Sequence, residues 1–203
     1  MLDAALIQQC ADPALKLAIV EQFVEAAGAP DPLTVMVRSG NRVFPVPKPK
    51  DAQEALAIIR DNVGRAVVRV GLTQFPASVA VKDASELNPD LVDPCENLRM
   101  GTKMFAKILR IVTRWYGNPK TEEVFPQIFE DAIYAWKTGE FEGKSVFQAE
   151  DPIGEMAMPQ DQTSVAVDPE AQADVDSDTH FATPEMDAET AGIRVDLSRI
   201  LGK

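Results

Sequence analysis

Residues 139–145, Gly-Glu-Phe-Glu-Gly-Lys-Ser, come nearest to a motif with known chemistry, the glycine-rich loop that cradles phosphate. That loop is excluded: it is one residue short, follows a helical pattern instead of a strand, and sets Glu140 and Glu142 where phosphate would lie. GxGxxG, GxSxG and HExxH are absent from the sequence. The single histidine, His180, stands in a polar tail, which removes most histidine-assisted nucleophilic catalysis and most zinc chemistry. Cys10 and Cys95 make neither a CxxC pair nor a disulfide framework, and Cys95 reads as a small buried hydrophobe. No cofactor and no metal is expected. What remains is an ordered series of short pieces. Glu25 lies near the end of a helix, and Gly71-Leu72-Thr73-Gln74 ends a strand. Asp93-Pro94-Cys95-Glu96-Asn97-Leu98 opens a long helix, and Trp136-Lys137-Thr138-Gly139 closes the last one.

The elements that must position these pieces follow from periodicity. Asp12 and Pro13 read as the cap and first residue of a helix in which Leu15, Ala18, Ile19, Phe23 and Ala27 share a face, closed by Gly28 and Pro30. Leu33–Arg38 and Arg42–Val46 flank Ser39-Gly40-Asn41 as a hairpin. Asp51 and Glu54 form a capping box ahead of a helix over 52–63, and Ala66–Val70 is a short β-prone run. A long helix is predicted from Cys95 to Tyr116 and another from Thr121 to Thr138. Trp115, Tyr116 and Trp136 are expected in the core.

Periodicity fades after Gly143. Residues 151–190 are rich in Asp, Pro, Ala, Thr and Gln and read as an acidic, disordered linker. Ile193, Val195, Leu197, Ile200 and Leu201 then suggest a short helix or docking peptide over 191–203. The expected organisation is one folded domain over 1–150 with this appendage. Residues 151–203 hold 12 of the 32 acidic side chains and 3 of the 20 basic ones, so they carry −9 of the net −12. A chain with this balance is a poor non-specific binder of nucleic acid, and no direct nucleic-acid binding is expected. No apolar run is long enough for a transmembrane segment, and Met1 to Gln9 lack the form of a secretory signal. The expectation is a cytoplasmic, reducing setting, periplasmic only through an upstream start or a non-classical export route; pairing of Cys10 with Cys95 stays open and needs that second compartment.

The order of the short pieces resembles the lytic transglycosylases encoded with VirB-type IV secretion systems, members of the goose-lysozyme-like family. Val24-Glu25-Ala26-Ala27-Gly28 looks like that family's Val-Glu-Ser-Gly helix end, and Gly71-Leu72-Thr73-Gln74 like its Gly-Leu-Met/Gly-Gln strand end. Asp93 to Leu98 matches its Asp-Pro-Cys-x-Asn-Leu, and Gln9-Cys10-Ala11 its leading Gln-Cys-Ala. Resemblance is closer still, to about Asp151, to the TraH conjugal transfer proteins of rhizobial and agrobacterial plasmids. It is carried by Ala66–Gly71, Asn97–Thr102 and Phe129–Lys137.

The resemblance implies a mainly α (α+β) fold, a lysozyme-like transglycosylase domain with a small β-hairpin. It implies partners among conjugation or type IV secretion components, with peptidoglycan as a further candidate. It also implies Glu25 as the general acid that protonates a glycosidic oxygen while the sugar's own hydroxyl closes an anhydro ring, with Glu21 one turn earlier as its competitor. An apolar helix end would suit this by desolvating Glu25. Gly71, Thr73, Gln74, Lys137 and Thr138 would bind the sugar. The sequence departs from the family at Ala26, where a serine is usual, in the longer Glu25–Asp31 spacing, and at Lys137, a cation in place of an asparagine that could pair with Glu25. Two readings stay open: a degenerate scaffold or adaptor for plasmid transfer, and an active lytic transglycosylase.

Overall fold

The computed structural model describes residues 3–40, 42–80 and 87–152. All of these fall in the first of two units, Met1–Gln160. The acidic linker beyond residue 152, His180 and the 191–203 segment lie outside the described residues.

The chain opens on a helix the periodicity did not reveal, α1 (Ala4–Cys10), which is only two turns long. Asp3 caps it by accepting from the Ala5 N–H at 2.9 Å, and Ile7 and Cys10, three apart, form its buried stripe. The Asp12-Pro13 helix start is corrected. The Asp12 carboxylate accepts from the Ala14 N–H instead, and the Asp12 N–H donates to the Thr102 hydroxyl, each near 2.9 Å. The chain therefore turns once over 12–15, which seats Leu15 in the core, and α2 runs over Leu17–Ala27.

The expected hairpin is part of something larger. Strands β1 (Val35–Ser39), β2 (Arg42–Phe44), β3 (Val67–Val70) and β4 (Phe75–Pro76) form one antiparallel sheet in the order β2-β1-β3-β4. Arg38 is paired with Val43 on one side and Val67 on the other, and Met36 with Arg69. Side chains alternate across a strand, so Val35, Val37, Val68 and Val70 enter the core. Met36, Arg38, Val43, Val67 and Arg69 take the opposite face. Between β2 and β3, α3 (Ala52–Asn62) is capped as expected, Asp51 accepting from the Glu54 N–H and Glu54 from the Lys50 N–H.

After the short α4 (Ala77–Ala80), the central helix α5 (Pro94–Trp115) begins at Asp93, which accepts from the Glu96 N–H at 2.9 Å with Pro94 at the first helical position. A 3₁₀ turn at Glu122–Val124 leads into α6 (Phe125–Thr138), ended by Gly139 in the left-handed region. The residues that imitate a phosphate loop are a hairpin, β5 (Glu140–Phe141) and β6 (Lys144–Ser145).

Helices α2, α5 and α6 meet through aromatic rings: Phe23 stacks on Phe105 at 4.1 Å and meets the edge of Trp136 at 5.1 Å. All three side chains are fully buried, and burial of each large apolar side chain contributes on the order of 2–3 kcal/mol. Trp115 departs from the expected core placement. It is 57% exposed, because Tyr116, four residues past Val112, takes the last inward position and hydrogen-bonds Asp131 at 2.7 Å. The structure also decides the cysteine pairing that the sequence left open. The unforeseen α1 brings Cys10 beside the start of α5, with Cα atoms 5.1 Å apart, and Cys10 and Cys95 form a disulfide. No helix among the described residues is long and apolar enough to cross a membrane.

Candidate ligand-binding site

The turn after β3 is built around Asn97, which is fully buried. Its amide N–H groups donate to the Val70 and Leu91 carbonyls at 3.0 and 2.8 Å, and its Oδ1 accepts from the Thr73 N–H and hydroxyl at 3.0 and 2.9 Å. Every hydrogen-bonding position of the side-chain amide is thereby used. Gly71 (φ +74°) lies so close that a Cβ there would sit 2.4 Å from the Asn97 amide nitrogen, which requires glycine on both counts. Gln74 adopts φ +52°, uncommon for a residue with a side chain, and its own amide donates back to the Gly71 carbonyl at 3.0 Å to hold it. The end of α2 abuts the same turn: the Ala29 N–H donates to the Leu72 carbonyl at 2.9 Å, and a Cβ on Gly28 would strike that oxygen.

Beside this turn is a cavity of about 390 Å³. Ala26, Ala27 and Gly28 from the end of α2 form one wall, and Trp136 and Lys137 from the end of α6 form another. The floor is the outward sheet face, Met36, Arg38, Val43, Val67 and Arg69, closed by Gln74. Three cations face the space, and no acidic side chain is among its described lining residues.

Arg69 is the unusual member, a cationic side chain left only 5% exposed. Its guanidinium donates to the carbonyls of Gln74 (3.2 Å), Trp136 (2.5 Å) and Lys137 (3.0 Å), so it caps the C-terminus of α6. It lies 5.6 Å from the ring centres of both Trp136 and Phe147. Burial first, and the neighbouring Arg38 second, bring its pKa down to about 10, which leaves it charged at neutral pH. Among the described residues, none of Arg38, Arg69 and Lys137 has a carboxylate partner.

The residues singled out from the sequence divide around this cavity. Gln74 and Lys137 line it, while Glu25 and Glu21 are exposed on α2 and do not. Glu25 is not desolvated as the apolar flank suggested, because α2 turns its Phe23 and Val24 inward and leaves Glu25 on the open side. Nor does Lys137 form an ion pair with Glu25. Thr73 is enclosed: its N–H and hydroxyl are taken by Asn97, and its carbonyl by the Trp136 indole at 3.2 Å. Gly71 is packed against Asn97, and the Thr138 hydroxyl bonds the Tyr134 and Glu140 carbonyls at the end of α6. Gly71 and Thr73 are enclosed and hold the turn, while Thr138 is exposed with its hydroxyl engaged at the end of α6. Arg38, Arg69 and Met36 escaped notice although their alternation with Val35, Val37, Val68 and Val70 was a readable period-two signal.

No solved structure matches this chain. It is 60% identical over 202 residues, covering the full length of both chains, to an uncharacterised protein, y4dP, of Sinorhizobium fredii strain NGR234. The sequence model of the TraH_2 family matches residues 1–202. The chain belongs to the TraH_2 family, and that membership points to a function related to conjugal transfer.

Proposed function

We propose that this chain acts in conjugal plasmid transfer as a binding component, a scaffold or adaptor on a lysozyme-like plan that has left glycan cleavage behind. One observation carries the reading: the cavity is lined by three cations and no described acid, while Glu25 stands outside it, exposed. A general acid for glycosidic cleavage has to hold its proton near neutral pH, which calls for an apolar or anionic setting. Cations beside the substrate would do the reverse. The other reading, an active lytic transglycosylase, needs Glu25 to lean over the rim and work beside Lys137.

The compartment is part of the same proposal. A disulfide such as Cys10–Cys95 persists where thiols are not kept reduced. It therefore favours the extracytoplasmic side of the membrane over the cytoplasmic setting the composition suggested, with conjugation or type IV secretion components as the partners met there.

The test is muropeptide release from purified sacculi. The folded wild type is expected to release no anhydro-muropeptides. Release that Glu25→Gln abolishes would replace this reading with the enzymatic one.

A further inference from the structure

A buried charge without a counter-charge is costly, so Arg69, with half-buried Arg38 and exposed Lys137 on the same cavity, asks for an explanation. Part of the answer is local. The C-terminal ends of α2 and α6 both border the cavity, and a helix C-terminus carries roughly half a negative charge. Two such ends, with the rings of Trp136 and Phe147 around Arg69, supply about one unit of negative charge against three cations. The site stays positive, in a chain whose net charge is −12.

We infer that this cavity binds an organic carboxylate: Arg38 takes the anion, Arg69 and Lys137 set the field around it, and the apolar side chains Met36, Val43 and Val67 take the body that carries it. The division of labour follows from how each cation is held. Three of the five N–H donors of Arg69 are spent on carbonyls, so it is fixed behind the surface. Arg38 is half-buried on the central strand β1, between Val43 and Val67, and its planar fork has no carboxylate among the described residues. Val43 and Val67 are 60% and 39% exposed, large enough apolar surface at the mouth to favour an apolar body. Met36 and the wall of Ala26 and Ala27 continue that character inward.

The same features disfavour phosphate. Many phosphate sites add helix N-termini and backbone N–H groups to their cations, and here two helix C-termini border the space instead. A doubly charged, strongly hydrated group gains little from valine and methionine. A single planar carboxylate matches one arginine fork and tolerates the partial negative charge of the helix ends.

This rests on reading the domain as a binding component, and the two fail separately: sacculus digestion tests the reading, and ligand titration tests the site. The experiment is a titration of the full-length ¹⁵N-labelled chain with hexanoate, following amide shifts. The expected result is saturable shifts at Met36, Arg38, Val43 and Val67, with a Kd on the order of 1 mM for a ligand of about eight heavy atoms. Neutral hexanamide and inorganic phosphate should each bind about tenfold more weakly or not at all. Arg38→Gln should weaken hexanoate about tenfold or more. Lys137→Gln, at an exposed position that leaves the core untouched, should weaken it several-fold and serves if Arg38→Gln fails to fold. Absence of saturable shifts, hexanamide binding as tightly as hexanoate, phosphate competing equally, or hexanoate binding unchanged in the folded variants would each overturn the inference.

Discussion

Replacing Asn97 with alanine removes the side chain on which the turn of the site is built. In the native fold its amide satisfies four groups, the Val70 and Leu91 carbonyls and the Thr73 N–H and hydroxyl. The hydroxyl can turn to the Asn97 backbone carbonyl, which lies 3.4 Å away. The other three lose their Asn97 partner in a buried setting, and each buried group left unsatisfied costs about 1–3 kcal/mol. Some water will enter the space left behind, so the expected loss is about 3–5 kcal/mol, a large share of the 5–15 kcal/mol typical of a folded domain. Urea unfolding followed by tryptophan fluorescence measures it, since the indole of buried Trp136 is bonded to Thr73. Asp93→Ala, which removes only the N-cap of the same helix, should cost about 1 kcal/mol and serves as the comparison. Asn97→Asp should be at least as damaging as Asn97→Ala, because it faces two carbonyls with an acceptor. A loss below about 1.5 kcal/mol for Asn97→Ala would refute the reasoning, showing that the turn stands without its hub.

Two further perturbations follow from the fold. The Cys10–Cys95 disulfide spans 85 residues, so the double substitution to alanine should cost about 2–5 kcal/mol in the same assay, and the native chain should show no titratable thiol. An unchanged midpoint, or two free thiols in protein purified without reductant, would contradict the pairing. The Asp31 carboxyl is held below its ordinary 3.8, first by the Leu33 N–H and then by Lys48. A depressed carboxylate stabilises the fold above its unfolded pKa and loses that contribution as pH falls through the folded one. Asp31→Asn should therefore lower the urea midpoint at pH 7 and leave it nearly unchanged at pH 2; equal losses at both would exclude the linkage.

The elements most legible in the sequence were those with both a cap and a long apolar stripe. Asp51 with Glu54 placed α3 within a residue, and Asp93-Pro94 did the same for α5. Where the decisive contact is distant in sequence, local reading failed. Asp12 looks like a helix cap until Thr102, 90 residues on, takes its N–H. Likewise α1 is too short to show a period, so nothing local could decide whether Cys10 pairs with Cys95. At the site, Gln74 and Lys137 were reached through motif order, while Arg38 and Arg69 were not singled out. Their meaning depends on which sheet face is covered, and that is set by the joint register of β1, β2 and β3. Glu25 was assigned through resemblance, and its exposure is a property of how α2 is turned against α5 and α6.

The central claim is that the cationic cavity, and not a carboxylic acid, carries the function. A mating assay tests it most directly, with donors whose own copy is deleted and then complemented in turn by wild type, Glu25→Gln and the double variant Arg38→Gln with Lys137→Gln, each at equal protein level. The account predicts that Glu25→Gln restores transfer to the wild-type frequency while the double variant leaves it close to that of the deletion. Transfer lost with Glu25→Gln and kept by the double variant would contradict it.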